Sequence, residues 1–278
     1  MIDEVFAAIA AALERGDEVA VVTIVSASGS TPQRVGVKMV VFADGRTVGT
    51  IGGGCYENDA FGKAREALRT HRPQKVRYEL TDDFAEESGL ICGGQMEVFI
   101  EPVEPAPRLY VIGAGHVGFH LARLAKDVGF QTHVLDDREK FANRARFPDA
   151  DEVIVEDIGD WLHRAEFPAN AYVVVVTRGH QHDLDALRAL AARDLRYLGL
   201  IGSKAKVKRI YDALLQEAMP PECLSRVHAP IGLDIGAVTP EEIAVSILAE
   251  LIAVRRGKIA EPHVAAVTKR WKKPVYND

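Results

Sequence analysis

The stretch RLYVIGAGHVGFHLARLAKDVGFQTHVLDD, residues 108–137, constrains the fold more than any other part of the chain. An apolar run at 109–112 reads as a buried strand. Gly113, Gly115 and Gly118 follow with G-x-G-x-x-G spacing and lead into a helical apolar pattern. A second strand at 132–135 ends in Asp136 and Asp137. In a βαβ unit the first glycine permits the tight turn and the second lets a pyrophosphate approach the backbone. The third lets helix and strand pack closely. Phosphates then sit on free N–H groups at the helix N-terminus, and Asp136 is placed to accept a hydrogen bond from a ribose hydroxyl. Because this unit starts only at residue 108, a different structure precedes it.

That preceding structure reads as mixed α+β. Residues 3–15 form an Ala-rich amphipathic helix closed by Gly16 and Asp17, and 18–26 is a β-branched strand. The runs 37–42 and 47–51 flank Asp44-Gly45, a hairpin signal. Gly52-Gly53-Gly54 leads into Cys55 and a helix to about Arg69. Val76, Tyr78 and Leu80 alternate as a half-buried strand, an acidic loop leads to Cys92-Gly93-Gly94, and 96–103 is the last strand. Glu101-Pro-Val-Glu-Pro-Ala-Pro107 reads as a stiff linker. Beyond it strands at 109–112, 131–135, 152–155, 172–177 and 197–201 alternate with helical patterns, which predicts a doubly wound parallel sheet. The fold expected is therefore α/β, with a smaller mixed α+β domain at 1–103, a Rossmann-like domain at 108–258 and a tail at 259–278. Thr239-Pro240-Glu241-Glu242 opens the final helix with a capping box and proline at its first position.

Composition narrows the function. With 278 residues, 47% hydrophobic and 27% charged, the chain is long enough for two packed cores. A net charge of −6 argues against nucleic acid as partner. No apolar run is long enough to span a bilayer, and Asp3 and Glu4 stand where a secretory signal carries basic residues. Three well-separated cysteines suit a reducing compartment, so a cytoplasmic location is expected.

Several segments have the residue types of a ligand site. In Gly53-Gly54-Cys55-Tyr56-Glu57, glycines allow close backbone approach, and a thiol at a helix N-terminus is a better nucleophile or soft-metal ligand. A tight turn followed by a small buried cysteine is the competing reading. Cys92-Gly93-Gly94 repeats the pairing of thiol and glycines. Cys55 and Cys92 lack zinc-type spacing; molybdenum or a sulfur-bearing ligand suits two thiols better, against the alternative of two unrelated thiols. Arg178-Gly179-His180-Gln181-His182-Asp183 follows a parallel strand, where open α/β sheets bind ligands. Arg178 is suited to phosphate, His180 or His182 to proton transfer or metal binding, and Asp183 to an N-cap. His116 is expected to pack beside the glycine loop, and Ser203 to cap a helix. The loop 229–237, with Asp234, either lines the pocket rim or is a buried connection. Cys223 is read as structural.

The ordered set STPQRVGVKMVV, IGGGCYE, ICGGQMEVFIEP, VIGAGHVG, TRGHQHD, YLGLIGS and PIGLDIGAVTPEEIAVSILAEL resembles the xanthine dehydrogenase accessory factor (XdhC/CoxI-type) family over nearly the whole chain. The resemblance implies a protein that binds molybdenum cofactor (molybdopterin), protects it while its terminal sulfur is installed, and inserts it into a xanthine dehydrogenase-like molybdenum hydroxylase. It implies that Gly53, Gly54, Cys55, Glu57, Cys92, Gly93 and Gly94 meet the molybdenum end, with Cys55 and Cys92 as metal or sulfur ligands. Gly113, Gly115, His116, Gly118, Asp136, Arg178, His180 and His182 would then hold a phosphate or nucleotide portion, or a separate NAD. A cysteine desulfurase partner and a homodimer are also implied. Gly52, which makes a glycine triplet, departs from the family pattern. The alternative is an NAD-dependent oxidoreductase acting on a small molecule, with His180 or His182 as acid–base group.

Overall fold

The computed structural model describes residues 2–79, 94–168 and 170–259. The chain divides into two compact units at the Pro105–Ala106 junction.

The first unit is an antiparallel sheet covered on both faces. Its strands are β1 (Val19–Ser28), β2 (Lys38–Phe42), β3 (Thr47–Gly49), β4 (Gln74–Glu79) and β5 (Gln95–Val103), in the order β3-β2-β1-β5-β4. The Asp44-Gly45 hairpin joins β2 to β3 with Val40 opposite Val48. Side chains alternate across β1, so its two faces feed two cores. Ala20, Val22 and Ile24 meet α2 (Cys55–Thr70) through Ala60, Ala64 and Ala67, whereas Val19 and Val21 meet α1 (Ile2–Arg15) through Val5 and Ala12. The edge strand β4 exposes Lys75, Arg77 and Glu79, charges that discourage pairing with another sheet edge. Two of these boundaries differ from the sequence reading. The strand expected at 47–51 stops at Gly49, because Thr50 to Gly54 turn instead. Pro102 lies inside β5 opposite Ala20 rather than in the linker; β4 ends opposite Ile100, so no ladder bond is lost on that side. Leu80 lies outside the described residues, as do Cys92 and Gly93.

The second unit is a parallel sheet of β6 (Arg108–Ile112), β7 (Gln131–Asp136), β8 (Glu152–Val155), β9 (Ala171–Val175) and β10 (Tyr197–Leu200), in the order β10-β9-β6-β7-β8. The chain winds outward through β7 and β8, then crosses back to β9 beside β6. The order therefore reverses between β6 and β9, where doubly wound sheets bind ligands. His228 bridges Gly199 in parallel, and Ile231 N–H donates to Leu200 O at 3.0 Å, so residues 228–231 extend the sheet past β10.

Helices α3 (His116–Asp127) and α8 (Pro240–Arg255) cover one face of this sheet. On the other lie α4 (Ile158–Arg164), α5 (His180–Leu190) and α6 (Lys204–Gln216), followed by the single turn α7 (Pro221–Ser225). β9 is buried at every position, as a strand covered on both faces must be, although it spans Ala171–Val175 rather than 172–177. The capping box opening α8 forms as expected: Thr239 Oγ1 accepts from Glu242 N at 3.3 Å, and Glu242 Oε2 accepts from Thr239 N at 3.0 Å. Thr239→Ala is expected to lower unfolding free energy by about 1 kcal/mol in urea denaturation, with the far-UV circular dichroism of the folded protein unchanged.

Candidate functional site

The carboxyl ends of β6, β7 and β9 bring together most of the residues expected to grip a phosphate. Gly113 has φ of +114°, and a Cβ there would lie 2.5 Å from Val176 O. The β6 turn therefore presses against the end of β9 as only glycine allows. A Cβ on Gly118 would lie 2.0 Å from Gly113 O, which is the close helix–strand packing expected of the third glycine. A Cβ on Gly115, in contrast, would meet nothing within 4 Å. Gly115 is the N-cap of α3 and no side chain caps that helix. Its first-turn amides, which a helix cannot satisfy internally, thus face a space where an anion fits. His116 is exposed at the first position of α3 rather than packed beside the loop.

Asp136 does something different from the expected ribose contact. It is 1% exposed. Its Oδ2 accepts from Ala114 N at 2.8 Å and from Arg138 Nη2 at 2.9 Å; its Oδ1 accepts from Arg138 Nε at 2.7 Å and Arg138 N at 3.1 Å. A carboxylate has about four lone-pair sites, and all are occupied by the chain's own donors. Burial pushes the Asp136 carboxyl up, but the Arg138 guanidinium and the Ala114 and Arg138 amides hold it below its ordinary value. A ribose hydroxyl could bond it only by displacing Arg138, whose guanidinium also stacks 3.9 Å from the Phe141 ring centroid. Arg146 completes the clamp by donating to Ala114 O at 2.9 Å.

The segment after β9 lies at the same edge. Arg178, expected to meet phosphate, donates to Asp137 Oδ2 at 2.7 Å. Gly179 is the N-cap of α5, again with no side-chain cap. His180 is exposed and His182 half-buried in the first turn. Asp183 is not the N-cap, because the helix starts three residues earlier. It is fully buried, accepts from Thr177 Oγ1 at 2.6 Å and pairs with Lys206. Ser203 is the cap expected of it, its side chain accepting from Lys206 N at 3.3 Å.

In the first unit the glycine turn is occupied from within. Gly52, Gly53 and Gly54 all have φ between +78° and +127°, and in this turn the amides of Ile51, Gly52 and Gly53 point to one place. Glu57 Oε2 sits there, accepting from Thr50 Oγ1 at 2.5 Å and from the amides of Ile51, Gly52 and Gly53 at 2.8, 3.1 and 2.9 Å. Burial alone would raise the Glu57 carboxyl; the Thr50 hydroxyl and the three amides lower it. Through Oε2, Glu57 thus holds the turn. A Cβ on Gly52 would lie 2.5 Å from Tyr56 Oη and 2.8 Å from Pro32 Cβ, so the additional glycine of the triplet is a packing requirement. Cys55 is a free, half-buried thiol at the first position of α2.

Gly94 fits against Ser28 and Ser30, whose carbonyl oxygens would lie 2.6 and 2.5 Å from its Cβ. The Cys55 turn and the start of β5 therefore abut the same segment, residues 28–32. Whether Cys92 joins them falls outside the described residues. Among those residues, no three His, Cys, Asp or Glu side chains gather in a metal-holding group.

Three features escape the sequence reading. The clamp residues Arg138 and Arg146 lie in a segment that reads only as a connection. Glu57 is visible as an acid in the first turn of a helix, but its grip on three amides is not. The third is a buried network at Glu250, which accepts from Tyr197 Oη at 2.7 Å, His228 Nδ1 at 2.8 Å and Gly232 N at 2.7 Å. It holds the 229–237 loop to α8, aided by Ser246 Oγ donating to Leu233 O at 2.6 Å. A lone carboxylate inside SILAELIAV is the available signal.

Two tests follow from these bonds. Arg138→Ala removes two of the four donors on Asp136, so the thermal shift produced by NAD should be larger in the variant than in the parent; an equal or smaller shift would mean that the clamp does not exclude ribose. Glu57, held below its ordinary carboxyl value, stabilises the fold above that value, and the contribution is lost as pH falls through the folded value. The urea midpoint should therefore fall between about pH 6 and about pH 3 more steeply in the parent than in Glu57→Gln.

Comparison with known proteins places this geometry. Residues 109–251 match the model of the XdhC Rossmann domain, and residues 12–79 match that of the XdhC and CoxI family. YqeB of Escherichia coli (strain K12) is 36% identical over 237 residues, covering 85% of this chain but only 43% of YqeB. The chain thus spans less than half the length of that relative. A probable xanthine dehydrogenase subunit of Bacillus subtilis (strain 168) is 29% identical, covering 88% of this chain and 96% of its own. The molybdenum cofactor insertion chaperone PaoD of Escherichia coli (strain K12) is 26% identical, covering 88% and 86%. A crystal structure of a xanthine dehydrogenase from Bacillus halodurans superposes with a TM-score of 0.50 at 27% identity, over 91% of this chain and 96% of that one. With a Rossmann-domain match over more than half its length and a family match ahead of it, the chain belongs to the XdhC and CoxI family.

Proposed function

We propose that this chain is a molybdenum cofactor-binding maturation factor that shields the cofactor, supports its sulfuration and inserts it into a xanthine dehydrogenase-like molybdenum hydroxylase. Family membership supports this reading, as does similarity to a protein named as a molybdenum cofactor insertion chaperone. The observation that carries it is the pairing of two unlike binding chemistries in one chain: the Cys55 thiol in the first unit and the uncapped, open N-terminus of α3 in the second.

The residues fit the parts of such a cofactor unequally. The space beside Gly115, with free first-turn amides, suits a phosphate end. Cys55 suits a soft metal or a sulfur atom. The Gly52–Gly54 turn does not suit a phosphate, because Glu57 already fills it. When bound, the cofactor supplies the molybdenum centre and its terminal sulfur; the chain's residues bind and orient it. In this reading His180 and His182, in the first turn of α5, contribute with Arg178 to the phosphate end. A cysteine desulfurase as sulfur donor, a homodimeric carrier and a cytoplasmic setting belong to the same proposal. The oxidoreductase alternative gains no support from Asp136, whose lone pairs Arg138 and Ala114 take.

The test uses purified full-length protein, purified molybdopterin cofactor and an apo-hydroxylase client. Cys55→Ala and Cys92→Ala should each weaken cofactor binding by about tenfold or more and slow client activation in proportion. If both variants bind the cofactor and activate the client as the parent does, the thiol role is wrong.

A further inference from the structure

A second cavity lies at the opposite end of the parallel sheet from the glycine loop, where β10 begins. Arg193, Arg196, Tyr197, Arg226 and His228 line it, and it encloses about 230 Å³. Two arginines with exposed side chains, Arg196 and Arg226, thus border a space too small for a drug-sized ligand, while the guanidinium of Arg193 is turned to backbone carbonyls outside the lining.

Their charges are poorly compensated. Arg193 donates through Nη2 to Leu162 O at 2.7 Å and through Nε to Ala189 O at 3.0 Å, and Nη1 donates to Ala165 O. These carbonyls fix the side chain without neutralising it. Arg226 has one carboxylate partner, Asp194 at 3.3 Å, which is 97% exposed and so screened by water. Arg196 is exposed and, among the described residues, pairs with no other side chain.

His228 supplies the cavity's imidazole and is itself buried. Its Nδ1 bonds Glu250 Oε1 at 2.8 Å, and its ring packs on Tyr197 with centroids 4.3 Å apart. Glu250 is fully buried, and the His228, Tyr197 and Gly232 donors keep its carboxyl below the ordinary range against the effect of burial. An ionised carboxylate therefore accepts from Nδ1–H and fixes the ring, leaving Nε2 toward the cavity, an acceptor in the neutral ring and a donor when the ring carries both protons. Forked guanidinium donors beside that ring suit a compact, multiply charged oxyanion.

We propose that this cavity is a second anion site, distinct from the glycine loop, for a small ligand bearing phosphate. The inference stands on the second unit alone and does not depend on the cofactor reading. It is tested with the full chain by titrating inorganic pyrophosphate while following the imidazole resonances of His228 by NMR in protein labelled at histidine. The ligand should shift the His228 signals to a saturating end point in the parent. In the variant Arg196→Ala/Arg226→Ala, which alters only exposed side chains, the dissociation constant read from those signals should rise about tenfold or more. It should be unchanged in Gly115→Val, which obstructs the other anion site. Unmoved His228 signals, equal affinity in the arginine variant, or tighter binding of succinate than of pyrophosphate would each overturn the proposal.

Discussion

The carboxylate of Asp136 fastens the glycine loop to the end of β7, and the geometry of the second unit's ligand edge depends on that bond. Ala114 lies between the two glycines that turn the chain out of β6. Its amide is held by Asp136 and its carbonyl by Arg146. With both groups fixed, the loop cannot rotate its peptide away, and α3 starts with its amides aimed into open space. The cost is that the acid cannot read a sugar. A carboxylate engaged by four donors is a structural anion, so the proposed grip on a phosphate falls to the amides of α3 and to α5, whose N-terminus likewise has no side-chain cap.

The same device recurs twice. Glu57 fills the turn before α2 with a carboxylate that three amides and a hydroxyl satisfy, and Glu250 anchors the loop before α8 through Gly232, Tyr197 and His228. In each case a half-buried or buried acid is kept below its ordinary value by donors that include backbone amides of a segment without regular structure. Isolated burial of such groups would be strongly unfavourable; multiple short hydrogen bonds offset it and give an irregular loop one conformation. Family-defining glycine motifs are therefore held in shape by acids outside or at the edge of the motifs. Cys55 benefits directly, since the turn that positions it is fixed two residues later by Glu57.

What can be read from the sequence is what depends on local periodicity. The alternation of strands and helices after residue 107, the Asp44-Gly45 hairpin and the Thr239 capping box are encoded within a few residues of one another, and the structure has them where expected. Partnerships set by three-dimensional geometry are harder. Asp136 stands in the position of a ribose-binding acid, yet Arg138, two residues on, reaches back and takes it. Asp183 reads as a cap only if helix α5 begins after the histidines. The helix begins at His180, which puts the acid one turn inside, against Thr177 and Lys206. Glu250 is hidden in an apolar helix whose pattern otherwise reads as core. That Gly52, in the turn before Cys55, and Gly94 abut the same segment, residues 28–32, is likewise set by the fold and not by local pattern.

The proposed carrier must bind molybdenum cofactor itself, not merely resemble a protein named for inserting it. Equilibrium dialysis of the purified protein against molybdopterin cofactor under anaerobic conditions, with bound molybdenum quantified by mass spectrometry, measures that binding. Saturable retention of about one molybdenum per chain, with micromolar or tighter dissociation, is the result predicted. Folded protein that retains no molybdenum above a control of unrelated protein at the same concentration would contradict it.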